Sequence, residues 1–309
     1  MDTLLVSHSA CLNHVTPDGH PECVDRLRAV LGALEAEEFM MLQRVEAPRA
    51  THEQIARVHT PELIEIVEGG VPAEGYQRVD ADTFLSPGSY EAALRAAGAV
   101  VYAVDEVMAK RARNAFCAVR PPGHHAEPGT AMGFCLFNNI AIGAMHARAV
   151  HGIDRVAVID FDVHHGNGTQ AAFETDPSLF YASTHQWPLY PGTGRASERG
   201  LGNILNACQP PGTGSSAFRE SFVEEVMPAL RSFQPGLIMI SAGFDAHAAD
   251  PLANMNLTED DFAFATAELV RCADDLCEGR IVSALEGGYD LGALASSARA
   301  HVRALMLTM

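Results

Sequence analysis

Six short apolar runs alternate with longer helical patterns along this chain, and they constrain its fold more than any other feature. The runs cover residues 3–7, 116–119, 156–161, 179–182, 237–241 and 281–285. Each run is apolar on both faces, which is typical of strands buried in a parallel sheet. The alternation of such strands with helices predicts a doubly wound α/β fold.

Several helix ends can also be located from the sequence. Thr60 is a typical N-cap with Pro61 at the first helical position, and Gly69 follows the predicted last turn. A capping-box-like start at Thr258 predicts another helix that runs to about Cys277. No linker, repeat or low-complexity tract interrupts the pattern, so we expect one domain.

The size and charge of the chain narrow the choice of partners. Its 309 residues and 33.0 kDa suit one large α/β domain over residues 1–309. Its 21 basic and 39 acidic side chains give a formal net charge of −18. This charge repels nucleic-acid phosphates and anionic membranes, so we expect neither as a partner. The sequence does not determine the oligomeric state, and a homo-oligomer is possible.

The sequence also predicts a cytoplasmic location. No apolar run approaches the roughly 18 residues that a membrane-spanning helix needs, and the acidic start of the chain is unlike a signal peptide. The seven cysteines are an odd number without a Cys-x-x-Cys pair. We therefore expect reduced thiols rather than a disulfide framework or a thiolate metal site.

Four of the predicted strands lead directly into segments that carry carboxylate, imidazole or phenol groups. These segments are residues 120–125, 160–168, 242–245 and 286–289. In a doubly wound sheet the ligand binds outside the carboxyl ends of the strands. We therefore expect the functional groups to meet at this edge.

Asp162, His164 and Asp245 are the candidate metal ligands. Asp162 and His164 are two residues apart, so an extended strand end directs both side chains the same way. Asp245 follows another strand and completes an O,N,O set, the pattern of a catalytic zinc site with an open position. The donors suit Zn²⁺ and also admit Fe²⁺ or Co²⁺. The alternative to a metal site is that the Asp-x-Asp-x-His run at residues 160–164 only caps a helix and accepts hydrogen bonds from loop amides.

Two adjacent histidines, His124 and His125, follow a Pro-Pro-Gly segment of low backbone freedom. Their ordinary pKa, near 6.5, suits proton transfer beside a metal. Each ring needs a partner that fixes its tautomer, and Asp160 and Asn167 are the candidates.

Three aromatic residues lie on the same loops. Tyr289 follows two glycines that let the chain approach a substrate closely, and its hydroxyl could donate to a developing oxyanion. Phe134 and Tyr190 follow the histidine pair and the fourth predicted strand. Core packing is the alternative for all three. Signatures of serine hydrolases, dinucleotide dehydrogenases and zincin proteases are absent from the sequence.

Together these residues resemble the zinc-dependent histone deacetylase family on its class II side, which includes bacterial histone deacetylase-like amidohydrolases. The resemblance runs in order from His20 to Asp290. Its motifs are residues 120–127 (RPPGHHAE), 132–139 (MGFCLFNN), 160–170 (DFDVHHGNGTQ), 241–245 (SAGFD) and 285–290 (LEGGYD).

The resemblance implies the arginase/deacetylase fold, with a central parallel sheet of about eight strands and helices on both faces. It implies that Asp162, His164 and Asp245 bind zinc. His125 would be the general base, His124 its electrostatic or acid partner, and Tyr289 would polarise the acyl carbonyl. The channel for the alkyl stem of the substrate would be lined by Gly133, Phe134, Tyr190 and Leu252.

The resemblance also implies two structural sites for K⁺ or Na⁺. The first would be formed by Asp160, Asp162, His164, Ser183 and Thr184. The second, peripheral site would be formed by Phe173, Asp176 and Leu179.

Two residues depart from common family patterns. Asn167 stands where class I members have an aspartate, so His125 would be a weaker base. Tyr190 replaces the more usual phenylalanine and adds a hydroxyl to one wall of the channel. The change at Tyr190 leaves the preferred acyl group or alkyl stem open.

The sequence therefore predicts a metal-dependent amidohydrolase that removes acetyl or other short acyl groups from lysine in proteins or peptides. Acetylpolyamine hydrolysis is the first alternative, but polyamine-selective relatives carry a glutamate where this chain has Leu252. Small acylated amines are nevertheless kept as a second class of candidate substrate, beside acylated lysine. A two-manganese ureohydrolase and a non-catalytic sensor of acylated amines are further alternatives.

Overall fold

The computed structural model describes residues 2–307 and shows, within them, one parallel sheet of eight strands and a small antiparallel pair. The eight strands are β1 (Thr3–Ser7), β2 (Gln43–Glu46), β5 (Asn114–Cys117), β6 (Val156–Asp160), β7 (Leu179–Gln186), β8 (Ile204–Gln209), β9 (Leu237–Ala242) and β10 (Ile281–Leu285). The pair consists of β3 (Gln77–Arg78) and β4 (Phe84–Leu85). The large sheet confirms the predicted architecture.

Helices cover both faces of the sheet. They are α1 (Val24–Ala33), α2 (His52–Ile55), α3 (Pro61–Gly69), α4 (Ser89–Met108), α5 (Asn139–His151), α6 (Asn167–Phe173), α7 (Ser215–Ser221), α8 (Met227–Phe233), α9 (Glu259–Cys277) and α10 (Leu291–Met306). Helices α4 and α5 pack together on one face, whereas α1, α9 and α10 pack on the other. On that second face His301 of α10 hydrogen-bonds both Thr266 of α9 and Ser283 of β10.

The predicted helix ends are largely confirmed. The side chain of Thr60 accepts a hydrogen bond from the backbone of α3, and Pro61 begins that helix, but Gly69 is its last residue rather than the residue beyond it. Thr258 caps α9 with a reciprocal capping box, and the helix ends at Cys277.

The two edge strands of the large sheet, β2 and β8, were not predicted from the sequence. Strand β2 has the sequence Gln-Arg-Val-Glu and is largely exposed, so it lacks the apolar pattern of a buried strand. Strand β8 carries Asn206 in its centre and is apolar only in part. Edge strands pair on one side only and tolerate such polar sequences.

Strand order places the functional loops together. The order is β2-β1-β5-β10-β9-β6-β7-β8, so β5, β10, β9 and β6 are consecutive. All of their pairings are parallel. Their carboxyl ends therefore open at the same edge of the sheet, in the middle of its width.

All seven cysteines are free, as expected for reduced thiols. Among residues 2–307, no helix combines the length and the apolar character that crossing a bilayer requires.

Candidate active site

Asp162, His164 and Asp245 lie together at the carboxyl ends of β6 and β9. All three are buried, and their ligand atoms lie within 4.8 Å of one another. The Nδ1 atom of His164 is 3.0 Å from Oδ1 of Asp162 and 3.2 Å from Oδ2 of Asp245. The structure thus brings together the ligand set that the sequence analysis proposed.

The chemistry of this cluster fits a divalent cation. Oδ2 of Asp245 is buried without a hydrogen-bond partner in the described structure. Burial and the neighbouring carboxylate of Asp162 raise the pKa of Asp245 to about 7. A cation bound by the cluster would neutralise both carboxylates and use the unpartnered oxygen. One imidazole and two carboxylates are donors that zinc accepts.

His124 is hydrogen-bonded to a carboxylate, as predicted. Its Nδ1 atom lies 2.9 Å from Oδ2 of Asp160, and the hydroxyl of Tyr181 donates to the same oxygen at 2.9 Å. Burial opposes protonation of the ring, but the carboxylates of Asp160 and Asp162 hold the pKa of His124 well above its ordinary value. His124 therefore favours the charged state.

His125 is hydrogen-bonded to a neutral side chain, and its pKa is shifted in the opposite direction to that of His124. Its Nδ1 atom lies 2.8 Å from Oδ1 of Asn167. Burial and the charge of His124 lower the pKa of His125 well below its ordinary value. Two adjacent imidazoles thus differ in protonation, which is the arrangement that separates an acid from a base.

Tyr289 is placed beside the cluster by the glycine loop that follows β10. The guanidinium of Arg26 lies over the ring of Tyr289, with 4.8 Å from its Cζ atom to the ring centroid. The ring of Tyr289 also packs edge-on against that of Phe134, with 5.8 Å between the ring centroids. Burial raises the pKa of Tyr289 well above its ordinary value, so its hydroxyl remains a hydrogen-bond donor.

A cavity of about 200 Å³ leads from the surface to these groups. The predicted channel residues all line it, as do two residues that the sequence analysis missed, Asp82 and Leu189. The full lining is Asp82, His125, Gly133, Phe134, His164, Leu189, Tyr190, Leu252 and Tyr289. The ring of Tyr190 stands edge-on to His125 at 5.2 Å.

The wall of the cavity at Gly133 and Phe134 is held by hydrogen bonds from a neighbouring loop. The backbone N–H of Gly133 donates to Oδ1 of Asp82, and that of Phe134 donates to Oγ1 of Thr83. Phe134 has a φ of 67°, a left-handed conformation that is uncommon for a residue with a side chain. These hydrogen bonds hold the phenyl ring in the wall.

A buried network of ion pairs, which was not predicted from the sequence, stabilises the loop that carries Tyr289. Glu22 pairs with both Arg26 and Arg120, and Arg26 also donates to the carbonyls of Glu286 and Gly288. Burial opposes ionisation of Glu22, but the two arginines lower its pKa to about 2. The glycine loop that carries the phenol is thereby tied to α1. Glu22 and Arg26 lie at the start of the family resemblance, which begins at His20, but no local pattern predicted this role.

The residues proposed for monovalent cations fall into two groups. Ser183 and Thr184 lie on β7, where Ser183 pairs in register with Asp160 of β6. The backbone carbonyls of the peripheral set converge on one point, which the side-chain nitrogen of Asn203 occupies. That set consists of Phe173, Asp176 and Leu179.

One further cluster has the composition of a metal site, but its hydrogen bonds are those of histidines that donate to a carboxylate. His146 and His151 of α5 both direct Nε2 at Oδ1 of Asp105, at 2.7 and 2.6 Å. The guanidinium of Arg57 faces the Nδ1 atom of His146 at 2.9 Å, so that atom accepts and Nε2 carries the proton. This tautomer donates to the carboxylate and does not offer a lone pair to a metal.

Comparison with known proteins agrees with this geometry. The family model described as "Histone deacetylase domain" matches residues 20–305. Histone deacetylase 14, chloroplastic, of Arabidopsis thaliana is 40% identical over 98% of this chain and 76% of that protein. The histone deacetylase-like amidohydrolase of Pseudomonas aeruginosa is 41% identical over 88% of this chain and 73% of that protein.

A solved structure supports the same conclusion. The HD domain of HDA15 superposes with a TM-score of 0.93 at 36% identity and covers 99% of this chain and 88% of that one. The match confirms the arginase/deacetylase fold. Fold, site geometry and sequence therefore agree that this chain belongs to the histone deacetylase family.

Proposed function

We propose that this chain is a zinc-dependent deacetylase that removes acetyl or other short acyl groups from lysine side chains. Family membership carries deacetylase and amidohydrolase chemistry in general. One observation supports the specific proposal: His125 and Tyr289 line one cavity together with His164, whose ligand atom lies within 4.8 Å of those of Asp162 and Asp245. Such a cavity suits an unbranched alkyl stem that ends in an amide.

Asp162, His164 and Asp245 would hold the metal, with Zn²⁺ as the proposed ion and Fe²⁺ or Co²⁺ as substitutes. A divalent metal in such a site supplies a Lewis acid and lowers the pKa of water. The Oδ1 atom of Asp245 is engaged by the backbone N–H of Val163, which leaves Oδ2 for the ion. For K⁺ or Na⁺ we propose a site at the carboxyl ends of β6 and β7 that includes Ser183 and Thr184, where Ser183 pairs with Asp160.

The protein groups around the metal divide the proton transfers. His125 is neutral, and with Nδ1 bonded to Asn167 its Nε2 atom can take a proton from the attacking water. The hydroxyl of Tyr289 donates to the acyl oxygen as negative charge develops there. His124, charged and held by Asp160, stabilises that charge, and a protonated histidine then gives a proton to the leaving amine.

The choice between lysine and polyamine substrates depends on the mouth of the cavity. Leu252 lines the cavity and offers a distal ammonium group of a polyamine only an apolar contact, where a glutamate would offer a counter-charge. The carboxylate of Asp82 also lines the cavity, but its Oδ1 atom already accepts hydrogen bonds from the backbone of Gly133 and the hydroxyl of Thr83. The net charge of −18 favours cations in general, but salt screens a long-range field within about 8 Å. We therefore propose acyl-lysine in a peptide as the preferred substrate, in the cytoplasm, where the free thiols would stay reduced.

The experiment is a comparison of substrates on the zinc-loaded wild-type protein. Acetyl-lysine peptides should be hydrolysed with a higher kcat/KM than N8-acetylspermidine, and longer acyl chains on the same peptide define the acyl preference. A preference for the polyamine would overturn the substrate proposal. Urea release from guanidines with two Mn²⁺ per chain, or peptide binding without turnover, would overturn the proposed activity.

A further inference from the structure

We propose that Glu127 is a positioning residue that fixes the amide of Asn167 and, through it, the tautomer of His125. The proposal deepens the proposed function and rests on it for its kinetic consequence. Glu127 lies two residues after the histidine pair and does not line the cavity. It acts on the reaction only through Asn167.

Three side chains form a chain of hydrogen bonds behind the site. Nδ2 of Asn167 donates to Oε1 of Glu127 at 2.7 Å, and Oδ1 of Asn167 lies 2.8 Å from Nδ1 of His125. A carboxylate accepts hydrogen bonds but cannot donate when ionised. Glu127 therefore requires the nitrogen of the amide on its own side and leaves the oxygen for His125.

The orientation of Asn167 decides which ring nitrogen of His125 carries the proton. An amide oxygen accepts, so His125 must donate its Nδ1 hydrogen, and Nε2 keeps the lone pair that a base needs. A flipped amide would present its NH₂ group to Nδ1. The proton would then reside on Nε2, and His125 could not accept another proton at that atom.

The backbone around the hydrogen-bond chain leaves little freedom for other arrangements. Glu127 closes a turn by exchanging backbone hydrogen bonds with Thr130, and its carbonyl is 3.1 Å from Nδ1 of His59. Gly168 packs so closely on Ala126 that a Cβ atom would overlap the backbone there. The start of α6 and the loop of Glu127 thus hold a fixed relative position.

Removal of the carboxylate should let the amide flip. The remaining neighbour of Nδ2 is the thioether of Met132 at 3.3 Å, which is a weak acceptor. Glu127→Ala should therefore lower kcat about 10- to 100-fold through loss of the base, with little change in KM. Glu127→Gln keeps an acceptor oxygen for Nδ2 and should remain within about threefold of the wild type.

A double variant separates positioning from general damage to the fold. In Asn167→Asp/Glu127→Ala an aspartate presents an oxygen to His125 in either orientation, so kcat should recover most of the loss. Glu74→Ala removes an exposed carboxylate from another loop and serves as the control. Equal kcat for Glu127→Ala and wild type, or no recovery in the double variant, would contradict the proposal.

A spectroscopic measurement tests the proposal without turnover. The ¹⁵N shifts of the two ring nitrogens of His125 in the zinc-loaded protein report the tautomer directly. We expect the Nδ1–H form in the wild type and in Glu127→Gln, and a substantial Nε2–H population in Glu127→Ala. An unchanged Nδ1–H tautomer in Glu127→Ala would overturn the proposal even if the deacetylase activity is confirmed.

A different observation carries a second inference, at the peripheral cation site implied by the family resemblance. Nδ2 of Asn203 lies 2.9, 3.0 and 2.7 Å from the carbonyl oxygens of Phe173, Asp176 and Leu179. Oδ1 of Asn203 accepts the backbone N–H of Leu201 at 3.0 Å, which fixes the orientation of the amide. The nitrogen fills the position where these carbonyls would coordinate an ion, so the described residues do not fit a cation there.

We infer that the buried amide of Asn203 replaces the peripheral cation in this chain. Titration with Tl⁺ followed by ²⁰⁵Tl NMR tests this directly. Asn203→Gly should bind one more ion than the wild type and should regain thermal stability when K⁺ is added. Asn256→Gly, which removes an exposed amide, is the control. Equal stoichiometry in the wild type and Asn203→Gly would overturn the inference.

Discussion

The backbone N–H of Gly287 donates to Oδ2 of Asp162 at 2.8 Å, so the loop that carries Tyr289 is hydrogen-bonded to a candidate metal ligand. Gly287 is packed so closely on the cluster that a Cβ atom would overlap the carboxylate of Asp245 and crowd that of Asp162. The loop that carries the phenol is thus in direct contact with the candidate ligand set.

Gly287→Ala should therefore displace the carboxylates and reduce bound zinc to well under one ion per chain. Elemental analysis of the purified protein checks this. Gly32→Ala is the control because a Cβ atom there meets no other atom within 4 Å. Full zinc content in Gly287→Ala would show that the cluster tolerates a side chain at this position.

Asp245→Ala should abolish both metal binding and turnover because it removes one of the three proposed metal ligands. Zinc content and kcat are the two measurements. A variant that keeps near-normal values of both would make Asp245 a structural residue, and the metal assignment would be wrong.

Tyr289→Phe should lower kcat about 10²–10³-fold, the usual loss for one oxyanion donor. The substitution keeps the ring and its contacts with Arg26 and Phe134, so the melting temperature should change little. An unchanged kcat would indicate that Tyr289 serves only packing.

Asn167→Asp should raise the pKa of His125 because an added anion favours the imidazolium. In the wild type burial and His124 keep that pKa low, so the acidic limb of the kcat/KM profile should move to higher pH in the variant. Glu127 lies 2.7 Å from Asn167, so Asn167→Asp/Glu127→Gln should be measured beside it. A limb that does not move would mean that residue 167 does not influence the base.

Leu252→Glu should narrow or reverse the preference for acyl-lysine peptides over N8-acetylspermidine. A carboxylate at the mouth of the cavity would meet the distal ammonium of the polyamine. The ratio of the two kcat/KM values on both proteins checks this. An unaltered ratio would show that Leu252 does not control substrate choice.

The residues that could be predicted from sequence are those whose chemistry is fixed by local spacing. Asp162 and His164 share one strand end, and Asp245 follows a strand that proved to be adjacent. Glu127 and Asn203 could not be assigned in this way. Glu127 contacts a residue 40 positions away in the sequence, and Asn203 contacts residues 24 or more positions away. No local pattern encodes such contacts.

The dependence on long-range contacts also explains why strands β2 and β8 were not predicted. Buried strands such as β9 are recognisable because both faces are apolar. Strands β2 and β8 are defined by their position at the edges of the sheet, and position is a property of the folded chain rather than of a short segment. The ion network of Glu22, Arg26 and Arg120 is likewise long-range, and its charged residues would be assigned to the surface on composition alone.

Strand order has a consequence for biosynthesis. Strand β10 is formed by residues 281–285, yet it lies between β5 and β9 in the middle of the sheet. A nascent chain that lacks this segment can pair its earlier strands only in two separate groups, and parallel pairing over long sequence distances is slow. The loop of Gly287 and Tyr289 arrives with the same segment. The phenol of Tyr289 and the hydrogen bond from Gly287 to Asp162 therefore join the site last, whereas β6 and β9, which position the candidate metal ligands, can pair before β10 is in place.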